Sequence, residues 1–215
     1  MSKIGVIDYG SGNIYSLVKA FERVGGQVNL ISSPDQISNA DKFVLPGVGA
    51  FGSVMQKLES TGFKEALTCL VEQKKPLLGI CVGMQVLFDV SYEFGEQEGL
   101  GIIRGKVEQL PAFDVSGVSN RIPHIGWSEV FHEVDEKICN SGNGLFKLIN
   151  DRESFYFVHS FSAKPSEENI SVTYTIFEGH SITAAVRKDM VFGTQFHPEK
   201  SGVAGLQLLE NYANL

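Results

Sequence analysis

The sequence predicts an α/β protein in which a mixed, largely parallel sheet is flanked by helices. Three observations carry that expectation. Short apolar runs end at glycine-containing turns, amphipathic stretches follow them, and the two alternate at a steady rhythm. A chain of 215 residues is long enough for a sheet covered on both faces. No repeat, low-complexity tract or linker divides it, so one domain over residues 1–215 is expected.

The elements follow in order. Lys3 to Asp8 is an apolar strand that stops at Tyr9-Gly10-Ser11-Gly12-Asn13. Ile14, Leu17, Val18 and Phe21 then recur at i, i+3, i+4 and i+7, one face of a helix that Gly25-Gly26 ends. Val28 to Ile31 reads as a second strand and Lys42 to Leu45 as a third, halting at Pro46-Gly47-Val48-Gly49. Helical patterns cover Phe51 to Leu58 and Phe63 to Glu72, with a strand from Leu77 to Ile80 and a helix from Val82 to Asp89. Beyond about Gly95 the chain changes character. Short strands such as Phe155 to Val158 and Ser171 to Ile176 are separated by Gly, Ser and Asn. Val191 to Glu199 reads as a strand running into Pro198, and Val203 to Tyr212 as a closing helix.

Composition narrows the function. Hydrophobic residues make up 43% and charged residues 20%, ordinary for a soluble globular enzyme. A net charge of −7 argues against a nucleic-acid partner, which needs a basic surface. No apolar run approaches the ~20 residues that span a bilayer, and Met1-Ser2-Lys3 enters a strand pattern with no signal-peptide layout. No membrane role is expected. Cys69, Cys81 and Cys139 form an odd, widely spaced set that fits free thiols in a reducing cytoplasm. No Cys/His pair has zinc-like spacing, so neither metal nor cofactor is expected.

The chemistry gathers around Cys81. Within Gly79-Ile80-Cys81-Val82-Gly83-Met84-Gln85 it stands at a strand-to-helix turn, where backbone N–H groups of the following helix favour a thiolate. Alone, it reads equally as a small buried cysteine at a strand end. A catalytic thiol needs a base with an orienting partner. His197 and Glu199 lie two apart in an extended segment, on one side of the chain, with Pro198 stiffening the arrangement. Without Cys81 they read as a surface pair flanking a turn. The glycine loop Pro46-Gly47-Val48-Gly49 can aim a peptide N–H at a developing oxyanion, with the N–H of Val82 as second donor. Taken alone, such a loop is an ordinary turn.

Together these pieces resemble the class I (triad) glutamine amidotransferases. Further stretches are similar to one branch of that family, the glutaminase subunits of imidazole glycerol phosphate synthase from histidine biosynthesis. They are Asp8-Tyr9-Gly10-Ser11-Gly12-Asn13, Pro123-His124-Ile125-Gly126-Trp127, Tyr156-Phe157-Val158-His159-Ser160, Thr183-Ala184-Ala185-Val186 and Gln195 to Gly202. The resemblance runs from about residue 4 to residue 212 and implies a flavodoxin-like core. It also implies glutamine hydrolysis through a cysteine thioester, with Cys81 as nucleophile, His197 as base and acid, and Glu199 as orienter. Val48 and Val82 would supply the oxyanion N–H groups, while Gly49, Gln85 and the backbone of Ser160 and Phe161 would hold glutamine. The ammonia would pass to a β/α-barrel synthase subunit in a heterodimer, with Asn13, Trp127 and Tyr156 near the interface. Ser128 stands where the family usually has asparagine, and Phe161 where it usually has tyrosine. Both leave open a paralogue serving another acceptor, such as a sugar amidotransferase of cell-surface polysaccharide assembly. Cys69 and Cys139 are expected to be packing residues, His132 and His180 surface residues, and His159 a pocket or structural residue.

Overall fold

The computed structural model describes residues 2–132, 144–168 and 170–215. The first half alternates strand and helix. Strand β1 (Lys3–Ile7) leads to helix α1 (Ile14–Arg23) and β2 (Gln27–Ile31). Next come β3 (Lys42–Gly47), α2 (Phe51–Ser60), α3 (Phe63–Glu72), β4 (Leu77–Cys81) and the four-residue α4 (Val82–Gln85). Strands then dominate: β5 (Phe88–Ser91), β6 (Gln97–Glu98), β7 (Ile103–Gln109), β8 (His124–His132) and β9 (Ser154–His159). They continue with β10 (Phe161–Pro165), β11 (Ser171–Phe177), β12 (His180–Lys188) and β13 (Val191–Thr194), before α5 (Gly202–Ala213).

Among the described residues nine strands form one sheet in the order β2-β1-β3-β4-β13-β12-β11-β8-β9. Pairing is parallel from β2 to β13 and antiparallel from β13 to β9. The mixed α/β sheet matches expectation, and its parallel part is the N-terminal half with β13. The central β3 and β4 are buried along their whole length, as befits strands covered on both faces. The chain moves outward in one direction through α1 and in the other through α2 and α3. Right-handed crossovers therefore put α1 and the α2–α3 pair on opposite faces. Helix α5 returns beside α1, where the rings of Phe21 and Tyr212 lie 6.3 Å apart.

The helix expected from Val82 to Asp89 stops after one turn. The carbonyls of Val86 and Leu87 accept bonds from Leu100 and Ile102 at 2.8 and 2.9 Å, so they are unavailable to a helical ladder. Phe88 to Ser91 instead joins a second sheet, order β10-β7-β5-β6. The segment from Val191 to Glu199 also differs from expectation: the strand ends at Thr194, and Pro198–Lys200 forms a 3₁₀ turn.

Glycines let α4 sit directly on β3 and β4. A Cβ at Gly83 would meet the backbone carbonyl of Leu45, one at Gly47 the backbone of Gly83, and one at Gly79 the carbonyl of Gly83. These neighbours are backbone atoms in the sheet's centre and cannot swing away. Gly83→Ala is therefore expected to cost about 2–3 kcal/mol by overpacking, read as a lowered denaturant midpoint at unchanged slope.

Candidate active site

Strand β4 ends on Cys81, whose backbone adopts φ 56° and ψ −115°. Such a conformation costs a non-glycine residue about 1–3 kcal/mol and persists only where packing over-determines it. The three-glycine contact of α4 with β3 and β4 supplies that packing. Cys81 is 4% exposed and lies at the wall of a cleft of about 290 Å³. Its Sγ sits 3.9 Å from the Val158 carbonyl and 3.8 Å from Gln195 Nε2.

His197 reaches the same cleft from the turn after β13. Phe196 anchors the turn, its ring 4.2 Å from Phe155 and 5.6 Å from Phe157 in the core. The His197 N–H donates to the Tyr156 carbonyl at 2.9 Å. Ser201 Oγ donates to the His197 carbonyl at 2.6 Å and accepts the Tyr156 N–H at 3.0 Å. A turn, rather than the expected extended strand, thus brings Glu199 Oε1 to 2.9 Å from His197 Nδ1, both side chains buried. Burial disfavours the imidazolium. The hydrogen bonds and charges of Cys81 and Glu199 outweigh it and raise the His197 pKa to about 10.

Val48, Gly49, Val82, Gln85, Ser160 and Phe161 all line this cleft with Cys81 and His197, as expected. Gly49 has φ +87° and open space where a side chain would stand. Gln85 is oriented within the wall: its Nε2 donates to the Phe161 carbonyl at 2.9 Å and to Gln195 Oε1 at 3.0 Å. Tyr9 ties the first turn to the glycine loop, its buried hydroxyl donating to the Pro46 carbonyl at 2.8 Å. Burial first, and then the neighbouring Cys81, push that phenol's pKa far up. Glu93 also lines the cleft, and its carboxylate accepts the Phe51 N–H at 2.6 Å. Sequence reasoning missed it because it follows β5, a strand whose first residues read as helix.

A second set of polar contacts starts in the wall itself, at His159, which lines the cleft beside Val158 and Ser160. His159 Nδ1–H donates to the Phe161 carbonyl at 2.9 Å, leaving Nε2 to accept from His124 Nδ1 at 3.1 Å. His124 Nε2 then accepts from Ser128 Oγ at 2.8 Å. Ser128, a departure from the family pattern, thereby caps the imidazole with its hydroxyl. Burial drives the His159 pKa down to about 3, against the pull of the Phe161 carbonyl and aided by His124 and His197. Burial lowers His124 as well.

Of the three residues expected at an interface, Trp127 and Tyr156 lie side by side on the paired strands β8 and β9. Trp127 is 55% exposed and meets Tyr156 edge-on at 6.2 Å, while Lys200 Nζ stands 5.8 Å from the Tyr156 ring centre. Asn13 precedes α1 without a side-chain cap, its carbonyl accepting the Leu17 N–H at 3.2 Å. Trp127 is therefore a surface residue and not core. Cys69, expected to pack inside, is exposed. Cys139 and the side chain of His132 lie outside the described residues. His180 bonds the Phe113 carbonyl at 2.9 Å in an exposed setting.

A strained cysteine, a buried His–Glu pair and a glycine loop around one cleft on a mixed α/β sheet define a class. The model of the glutamine amidotransferase class-I family matches residues 5–213, and the chain belongs to that family. Relatives extend along its whole length. "Imidazole glycerol phosphate synthase subunit HisH 1" of Legionella pneumophila is 41% identical over 216 residues, covering 100% of both chains. The HisH 1 subunit of Campylobacter jejuni is 43% identical over 213 residues, covering 99% of this chain and 100% of the relative. At that identity the chain shares a family with the HisH subunits. A solved structure of PurLQS from Thermotoga maritima, 18% identical, superposes with a TM-score of 0.72, covering 100% of this chain and 99% of the other, and attests the fold.

The titration shifts predict a signed pH dependence of stability. His159 is depressed, so the unfolded chain binds its proton first, below its ordinary 6.5. Its contribution is whole above pH 6.5 and falls as pH drops from there towards about 3. His197 is raised, so its contribution is whole below pH 6.5 and falls as pH climbs towards about 10. Comparing His159→Asn with the parent in denaturant melts between pH 6.5 and 5 should show the parent losing stability more steeply. Parallel slopes would mean that His159 carries a proton in the folded protein.

Proposed function

We propose that this chain is the glutaminase subunit of an imidazole glycerol phosphate synthase, hydrolysing glutamine and delivering ammonia to a barrel-shaped synthase subunit in the cytoplasm. The observation that carries the chemistry is the convergence of Cys81 with the buried His197–Glu199 pair on one cleft. The Cys81 thiolate attacks the carboxamide carbon of glutamine. The oxyanion that forms is taken by the N–H groups of Val48 and Val82, both at the cleft wall. Protonated His197 gives its proton to the departing nitrogen, and ammonia leaves with a glutamyl thioester on Cys81. Water, deprotonated by His197, then releases glutamate. Glu199 holds His197 Nδ1–H so that the opposite ring nitrogen serves the sulfur. Gly49, Gln85 and the backbone at Ser160 and Phe161 hold the substrate, and the Glu93 carboxylate at the cleft supplies the charge that suits its α-ammonium group.

The acceptor follows from kinship. Relatives at 41 and 43% identity over the full length carry the HisH subunit name, which favours the histidine-pathway reading over a polysaccharide paralogue. Exposed Trp127, packed edge-on against Tyr156, supports a docking role for that surface.

In the complex, Cys81→Ala is expected to abolish glutamine-dependent turnover and to spare turnover with added ammonium. Survival of both activities would refute the nucleophile assignment. Glu199→Gln should lower kcat by about 10³–10⁴-fold with KM little changed, since the wrong tautomer of His197 then predominates. Trp127→Ala should weaken synthase-subunit binding by at least about 2 kcal/mol, measured calorimetrically. Glutaminase activity of the isolated chain should be very low and rise with the synthase subunit and its ligand.

A further inference from the structure

Three polar groups surround Cys81 Sγ, and catalysis as described uses only His197. The second is the Val158 carbonyl, which accepts the proton of the neutral thiol. The third is Gln195 Nε2 at 3.8 Å, on a side chain with no exposed surface. A wholly buried carboxamide beside a thiol is costly unless its hydrogen bonds are made.

The orientation of that amide follows from its neighbours. The Phe161 carbonyl can only accept, so both groups that meet it, His159 Nδ1 and Gln85 Nε2, donate. The same Gln85 Nε2 then donates its other proton to Gln195 Oε1 at 3.0 Å. With Oε1 occupied as acceptor, the NH₂ end of Gln195 faces the sulfur. The donors keep one sense from Gln85 to the thiol, and the backbone N–H of Gln195 is held by the Ala184 carbonyl at 2.8 Å. When Cys81 loses its proton, the Val158 carbonyl becomes an unfavourable neighbour and the Gln195 amide a favourable one. A hydrogen bond to a charged group is stronger than a neutral one.

We propose that Gln195 is a further catalytic residue: its side-chain amide, aligned by Gln85, donates to the sulfur of Cys81 and stabilises the thiolate that attacks substrate. The inference rests on the reading of Cys81 as nucleophile. It adds a residue on β13's continuation that contacts the sulfur and not the substrate. Lengthening of this contact on glutamine binding is not required, because the amide lies on the protein side of the sulfur, behind the cleft.

The test follows the alkylation of Cys81 by iodoacetamide against pH in the intact chain, with the Cys81 peptide quantified by mass spectrometry. Gln195→Met keeps the shape and removes the donor. The pH of half-maximal rate should rise by about one unit, so that alkylation on the acid side of the parent's midpoint slows about tenfold. Glutamine turnover by the complex should lose a similar factor in kcat with KM nearly constant. Gln85→Met, which frees the Gln195 amide to rotate, should shift the alkylation profile the same way by less, and it provides the reading if Gln195→Met does not fold. An unmoved alkylation profile in the folded variants overturns the proposal. The nucleophile reading fails separately: a Cys81→Ala chain that still hydrolyses glutamine refutes it whatever Gln195→Met does.

Discussion

The architecture of the site depends on one steric fact, that the backbone of a one-turn helix lies against the backbone of two central strands. Side chains at positions 47, 79 or 83 would fill that space with Cβ atoms against immovable carbonyls and amides. The contact drives Cys81 into a left-handed conformation, where its side chain projects from the carboxyl end of β4 instead of into the sheet. Binding at the carboxyl ends of parallel strands is the general habit of open α/β sheets. Here the parallel half of the sheet provides the elbow and the glycine loop, while the end of β9 and the start of β10 in the second sheet provide the wall formed by Val158 to Phe161.

Two polar systems with opposite electrostatic character meet at this point. The His197–Glu199 pair is buried yet favours charge, because a carboxylate and a thiol contact the ring. His159 in the wall and His124 beside it favour neutrality, because burial is not offset by any carboxylate. A neutral His159 is suited to one task, donating a hydrogen bond in a fixed direction to the Phe161 carbonyl. Separating the two types of histidine by environment lets one ring favour its proton while the other keeps the pocket wall in place.

Much of this was legible in the sequence, and the exceptions have physical causes. The βα alternation, α1, the α2–α3 pair and α5 follow from periodicity and glycine stops, which are local signals. Cys81, His197 and Glu199 were singled out by residue type, a spacing of two joined the last pair, and only the family resemblance joined that pair to Cys81. The pairing of the last two was anticipated, although the geometry that achieves it is a 3₁₀ turn. The short α4 and the strand β5 were misread because Val86 to Phe88 are apolar throughout, and only the distant 99–103 segment decides where their carbonyls bond. Gln195 and the His124–His159 contact depend on long-range pairing of β8, β9 and β13, and Glu93 on β5 joining the second sheet, for which a single sequence carries no periodic signature. Exposure of Cys69 and Trp127 likewise depends on which face neighbouring elements leave open.

Strand β9 closes one side of the nine-stranded sheet, a position where unpaired backbone groups invite association with other chains. Its N–H and C=O at Tyr156 are instead claimed by Ser201 and His197. The sheet's border and the turn that holds His197 are therefore tied through the same residue. A fluctuation that peels this border open also loosens the His197 side of the cleft, so the shape of that cleft depends on the local stability of an edge.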